Sequence, residues 1–212
     1  MMRILTVSPD QYERHPSLLK QMYRLRAAVF GGRLEWDISV TEGEERDQYD
    51  DLKPTCVLAI TERELVAGCV RLLPACGPTM LEHTFPQLLE KGSHAKHPAM
   101  VESSRFCVDT SHAADREGGF VHRATLTMFA GIIEWSMANG YSEIVTATDL
   151  RFERILKLVG WPMRRLGDPV AIGNTIAIAG SLPADRVSFE QVCPPGYRSI
   201  RQIDSAPVRS AA

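Results

Sequence analysis

The stretch that most constrains this chain is residues 101–109, Val-Glu-Ser-Ser-Arg-Phe-Cys-Val-Asp, which reads as a buried strand with charged and hydroxyl groups set into it. Val101, Phe106 and Val108 supply the apolar frame, while Glu102, Ser103, Ser104 and Arg105 are costly to bury unless each finds a partner. Whatever fold the chain adopts must bring partners to that strand or leave a polar ligand beside it. The candidates lie upstream: Arg26, Phe30, Trp36, Asp47 and Asp50 in the first section, and Arg71 on a second strand-like run. Mixed charges with two aromatic rings suit a small zwitterionic or cationic substrate better than nucleic acid.

Strand alternation puts Glu102 and Arg105, three residues apart, on opposite faces. Either they serve different sides, or a bulge at Ser103-Ser104 turns both toward one cleft. A purely structural ion pair is the competing explanation. Asp47 and Asp50 are also three apart and can face one arginine or ligand, although acids in an acidic loop are usually solvated. Arg71, amid strand residues, needs a carboxylate, and Asp47, Asp50 and Glu102 are available. Phe30 and Trp36 could be core, yet their polar, glycine-rich neighbourhood favours a wall for a flat ring or a sulfonium.

In chain order, residues 2–7 read as a short strand and Ser8-Pro9-Asp10 as a helix start. A helical period runs over 11–30, broken early by Pro16, and puts Arg26 and Phe30 on one face. Residues 31–54 carry Gly31-Gly32 and eight acids without a clean period, which predicts a functional loop or lid. Residues 56–61 and 65–73 form an antiparallel hairpin, and one short helix is expected at 85–91. After the strand at 100–108 come a helix over 121–139 that is apolar on nearly every side, a strand at 142–148 and a helix at 150–159. Residues 170–179 and 186–192 read as the final strands. This alternation, beginning with a hairpin, predicts one α/β (α+β) domain over residues 1–212, with a mixed sheet and helices on its faces.

Composition excludes more than it selects. A net charge of −2 gives no electrostatic case for DNA binding. Five cysteines without a CxxC pair point to buried thiols in a reducing cytoplasm. The N-terminal run is interrupted too soon for a signal peptide, and no stretch reaches the length of a membrane span, so a cytoplasmic protein is expected. His94 and His97 lack a third ligand, so no metal is expected. Walker, GxGxxG and GxSxG signatures are missing. Arg151, Arg154 and Lys157 recur every three residues, with Arg164 and Arg165 soon after. Such a stripe is either a solvated face or a dock for an acidic partner, and the dock predicts salt-sensitive association.

Taken together, Arg26-x-x-x-Phe30, Trp36, Asp47-x-x-Asp50, Arg71 within Gly68-x-x-Arg71-Leu-Leu-Pro, and Glu102-x-x-Arg105-Phe106 resemble the LuxI-type acyl-homoserine-lactone synthases, the autoinducer synthases of bacterial quorum sensing. The resemblance runs from about Arg24 to Gly180. It implies a three-layer fold similar to the GNAT acetyltransferases, with a mostly antiparallel twisted sheet. It also implies two substrates, S-adenosylmethionine and an acyl-acyl carrier protein, with no cofactor. The amino group of S-adenosylmethionine is acylated, and its carboxylate then displaces methylthioadenosine to close the lactone. The GNAT pyrophosphate motif survives only as the fragment Arg116-Glu117-Gly118-Gly119, which fits a thioester carried on a protein.

Under that resemblance Glu102 is the candidate base, with Arg105 and Asp47 beside it in the catalytic set. Arg26, Asp47, Asp50, Arg71 and Arg105 form an ion-pair network, while Phe30, Trp36 and Phe106 line the adenosylmethionine site. Thr146 or Thr148 goes with a 3-oxo, medium-length acyl chain, and the basic stripe receives the carrier protein. An unperturbed glutamate facing an α-ammonium leaves proton transfer about 5 kcal/mol uphill. Burial must raise Glu102, or the sulfonium must acidify the amine, before general-base catalysis becomes effective. Two rivals are a GNAT-like N-acyltransferase using acyl-coenzyme A on another amine, and a non-catalytic adenosylmethionine-binding module.

Overall fold

In the computed structural model, which describes residues 2–33, 38–90, 95–109 and 121–198, the polar strand lies in the interior of an eight-stranded sheet. The strands are β1 (Met2–Val7), β2 (Val40–Thr41), β3 (Glu44–Glu45), β4 (Thr55–Thr61), β5 (Val66–Pro74), β6 (Met100–Val108), β7 (Glu143–Asp149), β8 (Arg164–Arg165), β9 (Val170–Ile172) and β10 (Thr175–Pro183). The helices are α1 (Pro16–Arg26), α2 (Met80–His83), α3 (Arg123–Ala138), α4 (Leu150–Leu158) and α5 (Arg186–Val192). Sheet order is β1-β4-β5-β6-β7-β10-β8, with β9 on β10 and β2-β3 a separate hairpin. Every pairing is antiparallel except β6 with β7.

Side-chain alternation on the strands builds a core on each face. Val57, Ala59, Val70, Leu72, Val101 and Val108 meet α3, whereas Cys56, Leu58, Ile60, Cys69 and Cys107 meet α1. The expected mixed, mostly antiparallel sheet with helices on both faces is therefore what forms. A third cluster joins Met100 and Val145 to Ala177, Ala179 and Leu81.

The parallel seam carries the feature that matters most. β6 and β7 pair only at Met100↔Glu143, Val101↔Ile144 and Glu102↔Val145. β6 runs on to Val108 against β5 and β7 to Asp149 against β10 without pairing further with each other, so the sheet opens between them beyond Glu102.

Four local expectations are corrected. Residues 186–192 form helix α5, not a strand. Pro183 ends β10, the Asp185 carboxylate accepts from the Ser188 amide at 2.7 Å as an N-cap, and Arg186 pairs with Glu190 one turn on. Helix α5 packs on α3, which explains why α3 is apolar on more than its sheet side. The short helix expected at 85–91 is instead α2, capped by Thr79, followed by a single 3-10 turn at Pro86–Leu88. The strand expected at 170–179 is a hairpin, β9 and β10, turning at Gly173-Asn174. Residues 31–54 are not a featureless loop: α1 continues into a π-helical segment at Ala27–Arg33, and β2-β3 turns at Glu42-Gly43, both with positive φ. Pro16 does interrupt the first helical run, separating a 3-10 segment (Pro9–Arg14) from α1.

Candidate active site

Three arginines and three acids meet on the α1 face of the sheet, and five of these six side chains are buried to at least nine-tenths. Arg26, at the end of α1, grips Asp50 with two parallel hydrogen bonds of 2.8 and 2.9 Å and also bonds Glu45. Arg71, on β5, bonds Asp47 through both terminal nitrogens and reaches Asp50 at 3.1 Å. Its Nε donates to Ser104 Oγ at 3.1 Å and its Nη2 to Met80 Sδ at 2.8 Å. Arg105 donates to Glu45 at 3.0 Å and lies 2.9 Å from Asp47. The charges cancel, which is what permits such burial.

Local structure explains how distant residues converge. Asp47 and Asp50 sit in one turn, in which the Asp47 amide donates to the Asp50 carboxylate and the Tyr49 amide to that of Asp47, both at 2.9 Å. The three-residue spacing thus points both acids at the same guanidinium, as expected. Tyr49 anchors the turn to Thr84, 2.8 Å away, and lies under Arg71.

Of the two alternatives, the bulge is the one that forms, but two residues further along than Ser103-Ser104. The β5–β6 register slips between Cys69↔Cys107 and Arg71↔Ser104, so Arg105 and Phe106 together oppose Val70. Arg105 has φ +55°, the left-handed region that a side chain adopts at a cost of order 1–3 kcal/mol. This conformation keeps Arg105 on the same face as Glu102, Ser104 and Arg71 and throws Phe106 to the other. Phe106, expected to line the adenosylmethionine site, therefore packs tilted against Phe129 and Phe152 at centroid distances of 5.4 and 4.9 Å, on the face away from the arginines.

Glu102 stands at the apex of the opening between β6 and β7. It was expected among the partners of Arg71, yet its oxygens accept instead from the amides of Met80 at 3.0 Å and Leu81 at 2.7 Å, the first residues of α2. Burial pushes its carboxyl above the ordinary glutamate range, against the pull of those amides and of the Arg71 charge. Asp50 behaves oppositely: burial would raise it, but hydrogen bonds and charge from Arg26, with Arg71 beyond, hold it below the usual range.

The two shifts carry opposite signs in stability. Asp50's lowered value supplies stability that is present above the ordinary carboxylate pKa and lost as pH falls through the lowered folded value. Glu102's raised value makes its ionised form a cost that is relieved as pH falls. Thermal melts should show a steep loss of stability below pH of about 4. Asp50→Asn should be less stable at neutral pH and should lose much of that acid-side slope; an unchanged slope would remove Asp50 from the network.

A cavity of about 700 Å³ passes through the opened seam. On the α1 face it is lined by Phe30, Met80, Glu102, Ser104 and Arg105. On the other face lie Phe106, Phe129, Phe152, Leu156 and Trp161, with Thr146 and Thr148 at its side. The Arg105 guanidinium sits 5.4 Å from the Phe30 ring centroid. Both threonines are partly buried and share one face of β7, as their alternation predicts. A polar, charge-lined antechamber thus opens onto an aromatic chamber, with one carboxylate between them. Trp36, expected as a second wall, lies outside the described residues, as do His94 and residues 116–119.

The basic stripe divides in two. Arg164 pairs with Glu143 at 3.2 Å and Arg165 with Glu153 at 2.6 Å, whereas Arg151, Arg154 and Lys157 on α4 are exposed and make no salt bridge among the described residues. Glu45 was not singled out in the sequence, although it bonds two of the three arginines. The only signal was arithmetic: Glu102 cannot serve Arg71 and act as a base, so three arginines need a third acid.

Known proteins can be set beside this geometry. A family model described as autoinducer synthase matches residues 10–192. An acyl-homoserine-lactone synthase of Agrobacterium fabrum is 76% identical over 211 residues, covering 100% of both chains. Among solved structures, the CoA-dependent acyl-homoserine lactone synthase BjaI, held with SAM and isopentyl-CoA, matches with a TM-score of 0.82 at 25% identity over 94% of this chain and 92% of that one. The acyl-homoserine-lactone synthase LasI matches with a TM-score of 0.79 at 29% identity over 91% and 95%. No helix among the described residues is long and apolar enough to cross a membrane. With nearly the whole chain matched by the family model and a relative three-quarters identical along its full length, this chain belongs to the autoinducer synthase family.

Proposed function

We propose that the seam between β6 and β7 is where the amine of S-adenosylmethionine meets an acyl thioester, with Glu102 taking the proton that the amine must lose. The chain is an acyl-homoserine-lactone synthase, an acyltransferase. The observation that carries the mechanism is Glu102 at the apex of a cavity whose two ends have opposite character. The ammonium gives a proton to Glu102, directly or through a water. Its nitrogen then attacks the thioester carbonyl, a C–N bond forms, and the C–S bond breaks to release the carrier thiol. The carboxylate oxygen next attacks the carbon beside the sulfonium, closing the lactone as methylthioadenosine leaves with the C–S electron pair.

Because burial raises Glu102, the uphill proton transfer of an unperturbed pair shrinks, and a carboxylate held by two backbone amides needs little reorganisation. The network of Arg26, Asp47, Asp50, Arg71 and Arg105 offers fixed charges to the methionine end, with Phe30 and Trp36 as walls of that pocket. In this reading the hydroxyl of Thr146 or Thr148, both of which line the cavity, receives a 3-oxo group on a medium-length chain. S-adenosylmethionine is consumed as a substrate, so the reaction needs no resident cofactor.

For the acyl donor, the three exposed cations of α4, with exposed Leu158 beside them, fit the acidic, partly apolar surface of an acyl carrier protein. BjaI is CoA-dependent, so the donor must be tested directly. Purified protein with S-adenosylmethionine should release methylthioadenosine with acyl-acyl carrier protein and far less with acyl-coenzyme A. Arg154→Glu with Lys157→Glu should raise KM for the acyl-carrier protein roughly tenfold, about 1.4 kcal/mol, and spare KM for S-adenosylmethionine. Equal release from both donors would refute the carrier reading. Release from neither would refute the reaction.

A further inference from the structure

We infer that Trp161 is the gauge that sets how long an acyl chain the aromatic chamber accepts; this rests on the reading of that chamber as the acyl site.

Helix α4 ends in Leu158-Val159-Gly160-Trp161-Pro162. Gly160, at φ +78°, turns the chain back, with its amide donating to Lys157 O at 3.2 Å and the Trp161 amide to Leu156 O at 2.9 Å. That six-to-one closure delivers the residue after the glycine inward, beneath the helix it has just left. The positive φ is what calls for glycine here; a Cβ would also meet the Gln191 side chain at 2.6 Å, but that side chain is exposed and can swing aside. The tryptophan's position is therefore fixed by the backbone before its side chain packs at all.

The indole is then held at both ends. Its Nε1 donates to Pro183 O at 2.9 Å, and its ring meets Phe129 edge-on at 5.4 Å. Pro183 is opposite Glu143, at the start of β7, on the closed side of the seam. Trp161 thus occupies the part of the cavity behind the apex, among Phe129, Ile144, Leu156 and Leu182, all of which are buried. A chain entering from Glu102 through the opened strands and turning into this chamber runs into an indole that is held at both ends and is itself only 2% exposed. The threonines line the side of the passage, where they can meet a polar group near the thioester; Trp161 meets the tail.

Such a floor discriminates by size alone. One methylene too many in a closed apolar pocket is worth roughly 10–200-fold in kcat/KM. A residue that served only to stabilise the core would, when replaced, lower the rates for all chains together and leave their ranking unaltered.

The test is the ranking of kcat/KM over a ladder of straight-chain acyl thioesters, read by methylthioadenosine release and by mass spectrometry of the lactones, for wild type, Trp161→Phe and Trp161→Ala. Trp161→Ala should move the optimum to longer chains, with the ratio of long to native chain rising at least tenfold, while KM for S-adenosylmethionine stays put. Trp161→Phe, which keeps an aromatic ring in the core, should shift the ranking in the same direction by less, and it carries the test if the alanine variant does not fold. Lactone formation with the ranking unchanged in a folded variant overturns the gauge alone. Wild-type protein that releases no methylthioadenosine with any thioester overturns the acyl reading of the chamber and the gauge with it.

Discussion

Arg71→Ala is expected to cost about 3–5 kcal/mol of stability, because it leaves a buried network of three carboxylates with only two guanidiniums to balance them. For a chain of this size that is a fall in Tm of roughly 6–20 °C, at about 2–4 °C per kcal/mol. Arg71 is 1% exposed and commits Nε, Nη1 and Nη2 to Ser104, Asp47, Asp50 and Met80. Lysine cannot reproduce that fork, so Arg71→Lys should recover only part of the loss. The control is Arg3→Ala: Arg3 pairs with Glu64 at the surface, where such a pair contributes about 0–1 kcal/mol. If the two variants melt alike in calorimetry, the buried network does not hold this face together. Six ionised groups are a poor way to maximise stability when apolar side chains of the same volume would serve as well. What they supply is a rigid, neutral set of charges whose outer edge, at Arg105, borders the cavity.

Glu102→Gln should fold, bind S-adenosylmethionine with little change, and lose about 10²–10⁴ in kcat for methylthioadenosine release, the usual worth of a positioned base. That loss corresponds to about 3–5 kcal/mol of transition-state stabilisation at about 1.36 kcal/mol per decade. The substitution keeps the side chain's shape and one of its two amide acceptors, so circular dichroism and ligand titration separate a catalytic loss from a folding one. A non-catalytic adenosylmethionine-binding module predicts no such separation, since it has no turnover to lose.

What the sequence reveals here follows the range of the interactions. The hairpin of β4 and β5, the buried strand β6 and helices α3 and α4 are legible because each is written in local periodicity. The convergence of Asp47 and Asp50 is legible for the same reason, their spacing being that of a single turn. Glu45 is not: among the acids of residues 31–54 nothing local marks it, and its partners lie 19 and 60 residues away. Strand alternation left a choice between opposite faces and a bulge at Ser103-Ser104, and the register slip falls at Arg105-Phe106, because the choice belongs to the pairing with β5. That slip also decides that Phe106 joins the aromatic chamber. Helix α5 was legible in principle. Asp185 as a cap, with Arg186 and Glu190 four apart, is a helix signature that outweighs the β-branched Val187 and Val192 suggesting a strand. The apex position of Glu102 depends on where β6 and β7 part, which no residue in either strand announces.

The most direct test of Glu102 as the base is the pH dependence of acyl transfer in single turnovers with S-adenosylmethionine already bound. Wild-type rates should fall on the acid side with an apparent pKa above that of an ordinary glutamate, the direction set by burial. The residual activity of Glu102→Gln should lack that acid limb. An unaltered acid limb in the glutamine variant, or turnover close to wild type, would contradict the account.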